Sequence, residues 1–181
     1  MRAESLVDLD LKQYIRDIPD FPKPGIVFRD ITPLLLEPRA YDYAVGALAE
    51  HARPLDVDVV LAAEARGFIF GGALARELGA GFAPARKPGK LPSETISAEY
   101  VLEYGIDVLE LHADALAGGT RVLVHDDLLA TGGTTRAKIE LVERLGAKVV
   151  GCLYVIELAF LGGREALAGY DVHALVAYDG E

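Results

Sequence analysis

The sequence has little sulfur and no tryptophan: it contains one cysteine and one methionine in 181 residues. A single cysteine cannot form a disulfide framework within one chain, so we expect a protein of the reducing cytoplasm. Cys152 lies in an apolar run, which favours a small buried side chain over a reactive thiol. No apolar stretch is long enough to span a membrane, and acidic residues interrupt the N-terminal segment. We therefore expect neither a membrane span nor export.

Basic charge is also scarce, with 18 Lys and Arg against 28 Asp and Glu, for a formal net charge of -10. The basic residues form no stripe that could follow a phosphate backbone, which argues against nucleic acid as a partner. An acidic protein can still bind a small anion when backbone N–H groups and a few placed cations surround the site. The negative net charge therefore does not exclude a phosphate-binding pocket.

The length and the apolar half of the composition predict one compact domain. From residue 57 onward, short apolar runs alternate with helical patterns, a rhythm typical of an α/β fold with a mostly parallel sheet covered on both faces. The predicted strands are residues 57–62, 82–85, 121–124, 149–156 and 172–177, and the predicted helices between them are residues 68–78 and 134–145.

The N-terminal third has a different pattern. Ser5 and Asp8 have the spacing of a capping box, which predicts a helix over residues 5–18 that Pro19 ends. Prolines and a glycine then predict a loop. A short strand at residues 26–28 and a helix at residues 38–52 complete the predictions for this part. In the middle of the chain, residues 93–112 are predicted to form a polar-flanked hairpin.

One stretch carries the strongest chemical signal: residues 126–134 read DDLLATGGT and follow an apolar strand at a helix start. The carboxyl end of a parallel strand is where ligands bind in open α/β sheets. Gly132 and Gly133 let the backbone approach a phosphate, while threonine hydroxyls and unpaired amides face it. The carboxylates of Asp126 and Asp127 suit the two hydroxyl donors of a ribose diol. The spacing therefore predicts a site for a ribose 5-phosphate.

Other interpretations of this stretch are weaker. A strand end with two solvated acids before an ordinary capped helix explains a bare D-D, but not the full string. No Walker A lysine follows the glycines, and Gly79-Ala80-Gly81 does not continue as a dinucleotide fingerprint. His125, beside two aspartates, could imitate a metal cluster, although a lone histidine at a strand end is more often structural.

Residues 122–135 resemble the motif with which type I phosphoribosyltransferases bind 5-phosphoribosyl 1-pyrophosphate (PRPP). Three further segments narrow the resemblance to the adenine phosphoribosyltransferase family: FPKPGIVFRDITP at 21–33, EARGF at 64–68, and RKPGKLP at 86–92 together with LEYG at 102–105. His125 departs from the family's usual apolar residue. The resemblance implies transfer of the 5-phosphoribosyl group from PRPP to adenine, giving AMP and pyrophosphate, in a homodimer.

The family also implies an architecture and a metal. Residues 1–35 are expected to form a small hood over the base pocket, residues 36–181 the core, and the hairpin a flexible catalytic loop. Mg²⁺ is the expected cofactor, held mainly by substrate oxygens with no direct protein ligand; Asp126 and Asp127 are expected to reach it through water.

The resemblance assigns roles residue by residue. Ala130, Thr131, Gly132, Gly133 and Thr134 are expected to bind the 5-phosphate, and Asp126 and Asp127 the ribose. Arg66 and Lys87 are expected to bind the pyrophosphate, beside a cis peptide between Glu64 and Ala65. Without the family, Arg66 could equally form a surface ion pair with Glu64.

For the base, Phe28 and Leu128 are expected to form two walls, with backbone groups of Val27 and Arg29 reading its edge. From the sequence alone, Phe28 could also be an ordinary core residue. Glu103 is expected to manage the proton of the base nitrogen, and Tyr104 to close the hairpin over the reaction. Two alternatives stay open: a phosphoribosyltransferase for another base, and a PRPP-sensing regulator without catalysis.

Overall fold

The N-terminal part of the protein contains a small two-stranded sheet. The structure is a computed structural model that describes residues 9–102 and 105–180. Strands β1 (Arg16–Ile18) and β2 (Phe28–Asp30) pair antiparallel. An ion pair of 2.7 Å between Arg16 and Asp30 ties the two strands together.

The helix predicted for residues 5–18 is wrong over its described part. Residues Leu11–Tyr14 form a single 3-10 turn, capped by the side chain of Asp10, and an extended strand follows. Pairing with β2 satisfies the backbone groups of this segment, so the long-range partner overrides the local helical pattern. The strand predicted at residues 26–28 begins later, at Phe28, because a turn closed by hydrogen bonds from Phe21 to Ile26 and from Ile26 to Lys23 occupies the preceding residues.

Helices α1 (Thr32–Leu36) and α2 (Pro38–Ala52) connect this sheet to the rest of the chain. Helix α2 has the predicted bounds, with Pro38 in its first turn, where the missing N–H costs nothing. Its buried side chains recur at helical spacing and form one apolar face. They are Ala40, Ala44, Val45, Leu48, Ala49 and Ala52.

The central sheet has five strands, and all of its pairings are parallel, which confirms the predicted fold class. Its strand order is β4-β3-β7-β8-β9. In chain order, the elements after α2 are β3 (Val59–Ala63), α3 (Arg66–Leu78), β4 (Gly81–Ala85), β5 (Thr95–Leu102), β6 (Gly105–His112), β7 (Arg121–Leu129), α4 (Gly133–Arg144), β8 (Lys148–Leu158), α5 (Gly163–Ala166) and β9 (Val172–Tyr178).

Strand β7 differs from its prediction in length. It continues beyond residue 124 through both aspartates, because Leu128 and Leu129 still pair with Ile156 and Glu157 of β8. The acidic pair therefore lies near the carboxyl end of β7, within the hydrogen-bonded part of the strand, which holds it rigidly.

Both faces of the sheet are covered, as predicted. Helices α2 and α3 pack on one face in an apolar cluster that contains Leu48, Phe70 and Leu123. Helix α4 and the antiparallel hairpin β5-β6 pack on the other face, around Leu109 and Leu141. Cys152 is fully buried in β8, where burial raises the pKa of its thiol to about 12, in agreement with the structural interpretation. None of the described helices has the length and apolar character needed to cross a membrane.

Candidate active site

The carboxyl ends of β3 and β7 bring the predicted arginine and acidic pair together. The two strands are adjacent and in register, with Ala62 opposite His125. After β3 the chain passes through a cis peptide between Glu64 and Ala65, as the resemblance implied, and α3 begins at Arg66. The Nε atom of Arg66 lies 2.9 Å from Oδ2 of Asp127.

The alternative partner for Arg66 is wrong. Glu64 instead accepts a hydrogen bond of 3.2 Å from the guanidinium of Arg86 and another of 2.5 Å from the backbone amide of Lys87. These contacts hold the pKa of Glu64 below its ordinary value despite some desolvation. Arg66 is thereby left for the acidic pair.

Asp127 is the most perturbed acid of this site. Burial, and then the neighbouring charge of Asp126, raise its pKa to about 7, although Arg66 opposes the shift. Its Oδ2 atom is buried and accepts no hydrogen bond in the described chain, because the N–H of Arg66 is close but does not point at it. A buried acceptor without a donor favours a ligand hydroxyl at this position.

Asp126 is held from three directions. Its Oδ2 accepts a hydrogen bond of 2.8 Å from Nζ of Lys138, and its Oδ1 accepts one of 3.1 Å from the amide of Asp127. A Cβ added to Gly67 would come within 2.6 Å of that Oδ1, so the carboxylate lies directly against the first turn of α3. Only glycine permits this approach.

His125 has a structural place. Its side chain is fully buried, faces the ring of Phe70, and burial lowers its pKa to about 4, so the imidazole is neutral. Among the described residues, no three His, Cys, Asp or Glu side chains converge as a metal site. The metal-cluster interpretation of His125 therefore has no support from its neighbours.

The loop after β7 offers backbone amides. Gly132, with φ +85°, is the N-cap residue of α4, and no side chain caps this end of the helix. The amides of Gly133, Thr134 and Thr135 belong to the first helical turn, which has no intrahelical acceptor. In the described parts of the chain, the amides of Thr131 and Gly132 make no backbone hydrogen bond either. The N-terminus of α4 therefore presents a cluster of free donors, which suits a phosphate.

The turn that contains Gly162 and Gly163, at the start of α5, packs against this loop. Gly163 is so close that an added Cβ would stand 2.2 Å from the carbonyl oxygen of Ala130. An added Cβ on Gly132 would in turn lie 3.0 Å from the carbonyl oxygen of Gly163. The side chain of Arg164, next in sequence, donates hydrogen bonds to both carboxylate oxygens of the buried Glu157.

The predicted base walls lie near the arginine. Phe28 is half-buried and makes an edge contact with Phe21, with 5.2 Å between the ring centroids. The guanidinium carbon of Arg66 lies 5.0 Å from the centroid of the Phe28 ring. Phe28 belongs to none of the core clusters formed by the described residues, so the ordinary-core interpretation is wrong. Leu128 is half-buried at the edge of the α2-α3 core.

The two residues that flank Phe28 differ in burial. Val27 is half-buried, whereas Arg29 is buried, with its guanidinium over the ring of Tyr178 and paired with Asp17. The side chain of Arg29 is therefore structural.

The hairpin carries its own polar network. Nζ of Lys87 lies 3.1 Å from Oδ2 of Asp107, and the hydroxyl of Tyr100 donates to the same oxygen at 3.0 Å. Burial, and then the hydrogen bond with Asp107, raise the pKa of Tyr100 to about 12. Glu103 and Tyr104 lie outside the described residues.

Comparison with known proteins decides the family. Residues 39–168 match the phosphoribosyl transferase domain. An adenine phosphoribosyltransferase from Thermoanaerobacter pseudethanolicus is 53% identical, with a TM-score of 0.91 over 93% of this chain and 98% of that one. The chain belongs to the adenine phosphoribosyltransferase family. The adenine phosphoribosyltransferase of Rhodothermus marinus is 52% identical, with a TM-score of 0.88 over 93% of this chain and 96% of that one.

A third relative was solved with ligands. The adenine phosphoribosyltransferase of Saccharomyces cerevisiae, complexed with D-2,5-dideoxy-2,5-imino-altritol 1,6-bisphosphate and adenine, is 39% identical, with a TM-score of 0.87 over 91% of this chain and 96% of that one. As in these phosphoribosyltransferases, the sheet here is flanked by helices on both faces.

Three residues of the site are not evident from the sequence: Lys138, Asp107 and Gly163, each of which lies against a predicted site residue or the loop. Only Lys138 has a signal in the sequence, because it follows Thr134 by one helical turn and so shares the face of α4 that starts at the phosphate loop. Asp107 and Gly163 meet the site only through long-range packing.

Proposed function

We propose that this protein transfers the 5-phosphoribosyl group of PRPP to adenine, releasing pyrophosphate and forming AMP. One observation carries the proposal: free amides at the N-terminus of α4 adjoin two acids at the end of β7, one with a buried oxygen that lacks a donor. This is the arrangement that a ribose 5-phosphate needs. Membership in the adenine phosphoribosyltransferase family supports adenine as the base.

In the proposed reaction a purine nitrogen attacks the anomeric carbon, and the bond from that carbon to pyrophosphate breaks. The protein's part is alignment: the loop residues Ala130, Thr131, Gly132, Gly133 and Thr134 hold the phosphate, and the acids hold the diol. The negative charge of Asp126 and Asp127 also stabilises the positive charge that develops on the sugar. Fixing both ends of the sugar restricts it to the geometry of in-line displacement.

The departing pyrophosphate is proposed to meet Arg66 and Lys87. The side chain of Arg66 is 39% exposed and that of Lys87 is 58% exposed, so both can reach a bound anion. Each now pairs with one carboxylate, Asp127 or Asp107, and a polyanion at the same edge competes for them. The planar fork of Arg66 suits two phosphate oxygens, while Lys87 supplies a point charge.

Mg²⁺ fits this site as a substrate-held ion. Because the described chain offers two carboxylates and no cluster of three ligands, most of the coordination must come from PRPP oxygens and water. Asp126 and Asp127 are proposed to accept hydrogen bonds from such waters. When bound, the metal supplies charge neutralisation of the leaving group.

The base is proposed to lie between Phe28 and Leu128, with backbone groups of Val27 and Arg29 at its edge. The partial exposure of Phe28 and its absence from the core clusters of the described residues support this placement. Glu103 as the group that manages the base proton and Tyr104 as a closing residue remain proposals of the family resemblance. Replacing Glu103 by Ala is then expected to lower kcat far more than it weakens PRPP binding; an unchanged kcat would remove that role.

Three assignments remain proposals: a homodimer and a hood of residues 1–35 over a core of residues 36–181, which the family resemblance implies, and a cytoplasmic location, which the single cysteine favours. Sizing in solution tests the first. The N-terminal sheet β1-β2 carries Phe28 to the site, which supports a hood that contributes to the base pocket.

The deciding experiment is an assay of product formation with PRPP, Mg²⁺ and a panel of adenine, hypoxanthine, xanthine and uracil. We expect AMP from adenine at the highest kcat/KM. Preference for another base would support the first alternative, and PRPP binding without turnover of any base would support a regulator. The Asp127→Asn variant is expected to keep its fold and lose turnover, which ties the activity to this site.

A further inference from the structure

Lys138 is the one fully buried Lys or Arg side chain among the described residues. It lies on α4, which begins with the phosphate loop, and its Nζ donates to the backbone carbonyl of His125 at 2.8 Å and to Oδ2 of Asp126 at 2.8 Å. A buried ammonium is costly unless it is paired and hydrogen-bonded, so both contacts are needed for it to be there. Lys138 thus links the end of β7 to the first turns of α4.

The contacts continue from Lys138 to the second acid. Asp126 accepts from Lys138 through one oxygen and from the amide of Asp127 through the other. With Gly67 pressed against the same carboxylate, Asp126 has little freedom to rotate. The position of the Lys138 ammonium therefore fixes the Asp126 carboxylate, and that carboxylate fixes the backbone that carries Asp127.

Charge gives a second argument. Two adjacent carboxylates repel each other, and Arg66 and Lys138 are the cations that offset the charge at Asp127. The side chain of Arg66 is 39% exposed and is proposed to turn toward pyrophosphate, whereas that of Lys138 is 0% exposed and has no route to a ligand. Lys138 is the cation that stays with the acids throughout turnover.

We propose that Lys138 is the positioning residue of the diol-binding acids: without touching substrate, it holds Asp126, and through it Asp127, in the arrangement that recognises the ribose hydroxyls. This inference rests on the proposed function, which assigns the acids to the diol. It predicts a specific defect, since the phosphate loop has its own amides and does not depend on Lys138 for them.

The test compares three ligands by calorimetry: ribose 5-phosphate, 2-deoxyribose 5-phosphate, which lacks one of the diol hydroxyls, and inorganic phosphate. In the unmodified protein we expect ribose 5-phosphate to bind about tenfold more tightly than the deoxy sugar, as for a hydrogen bond to a charged group. In Lys138→Met this preference is expected to vanish, while the affinity for inorganic phosphate stays within about twofold. The KM for PRPP should rise about tenfold with a smaller change in kcat.

Two controls separate positioning from general damage. Lys148→Met makes the same substitution at an exposed lysine in β8 and is expected to bind all three ligands as the unmodified protein does. Asp126→Asn is compared with the double variant Asp126→Asn/Lys138→Met, which removes both charges together. If Lys138 acts through Asp126, the two have the same sugar preference. This comparison decides the question even if Lys138→Met alone does not fold.

The outcomes are distinct. If the unmodified protein binds the two sugars equally, the assignment of the acids in the proposed function fails. If it prefers ribose 5-phosphate and Lys138→Met keeps that preference, only the inference about Lys138 fails. A further loss of preference in the double variant relative to Asp126→Asn would also overturn it, because Lys138 would then act by another route.

Discussion

The contact between Gly67 and Asp126 allows a test with two matched glycines of one helix. In Gly67→Ala the new methyl group would stand 2.6 Å from Oδ1 of Asp126, whereas in Gly72→Ala, further along α3, it meets nothing within 4 Å. Ordinary contact begins near 3.4 Å, so the Asp126 carboxylate or the start of α3 must move by about 0.8 Å. Lys138 holds that carboxylate on its other side, so the movement is resisted.

The two substitutions are expected to change the free energy of unfolding in opposite directions. Overpacking of this kind costs about 1–3 kcal/mol. We therefore expect Gly67→Ala to lower Tm by about 2–12 °C for a chain of this size. Gly72→Ala should raise the free energy of unfolding by about 0.5–1 kcal/mol, because alanine is the better helix former. Because Asp126 is displaced, the KM for PRPP of Gly67→Ala should also rise about tenfold.

The assays are thermal unfolding and initial rates at varied PRPP, with both variants measured beside the unmodified protein. If Gly67→Ala keeps the KM of the unmodified protein and gains stability as Gly72→Ala does, the close packing of α3 against Asp126 is refuted. A loss of stability with an unchanged KM would refute the placement of Asp126 against the ribose.

Three further predictions concern the loop, the acid and the turn behind them. Gly163→Ala puts a methyl group 2.2 Å from the carbonyl oxygen of Ala130, so calorimetry should show about tenfold weaker AMP binding; unchanged affinity would mean that the turn does not shape the loop. Because burial raises the pKa of Asp127 from 3.8 to about 7, the folded protein holds that proton more tightly than the unfolded chain. Its stability should therefore fall as pH rises through this range, and less in Asp127→Asn; equal pH dependence of Tm in the two would contradict the shift. Arg164→Met leaves the buried carboxylate of Glu157 unpaired and should cost about 3 kcal/mol in urea unfolding, with a smaller loss when Glu157→Gln is added; an equal loss in the double variant would show that the ion pair is not the cause.

The sheet and its helices were predictable because their signals are local and repeated. Apolar runs alternate with helical patterns over residues 57–177, and each run is long enough to define its type. The resemblance supplied what periodicity cannot, including the cis peptide between Glu64 and Ala65. Boundaries moved where pairing continued beyond the apolar run, as in β7, whose strand includes both aspartates.

The errors have a common physical origin in long-range contacts. The pattern of residues 5–18 is helical by spacing, yet Arg16–Ile18 pair with a strand that the sequence does not reveal as their partner. The alternative of an ion pair between Arg66 and Glu64 fails for the same reason, because Arg66 pairs with Asp127, more than sixty residues away in sequence. A lysine in a helix is usually exposed to solvent. Lys138 is nevertheless fully buried, because α4 lies against the end of β7.

The most direct test of the central claim is a crystal structure of the protein with AMP. The account predicts the phosphate within hydrogen-bonding distance of the amides of residues 131–135, the ribose hydroxyls against Asp126 and Asp127, and the base on the ring of Phe28. A cavity of about 860 Å³ adjoins the loop, because Thr131 and Gly133 line it together with Arg136, Glu140 and Tyr170. A phosphate bound to the Arg136 side chain, with the amides of residues 131–135 left without it, would contradict the account.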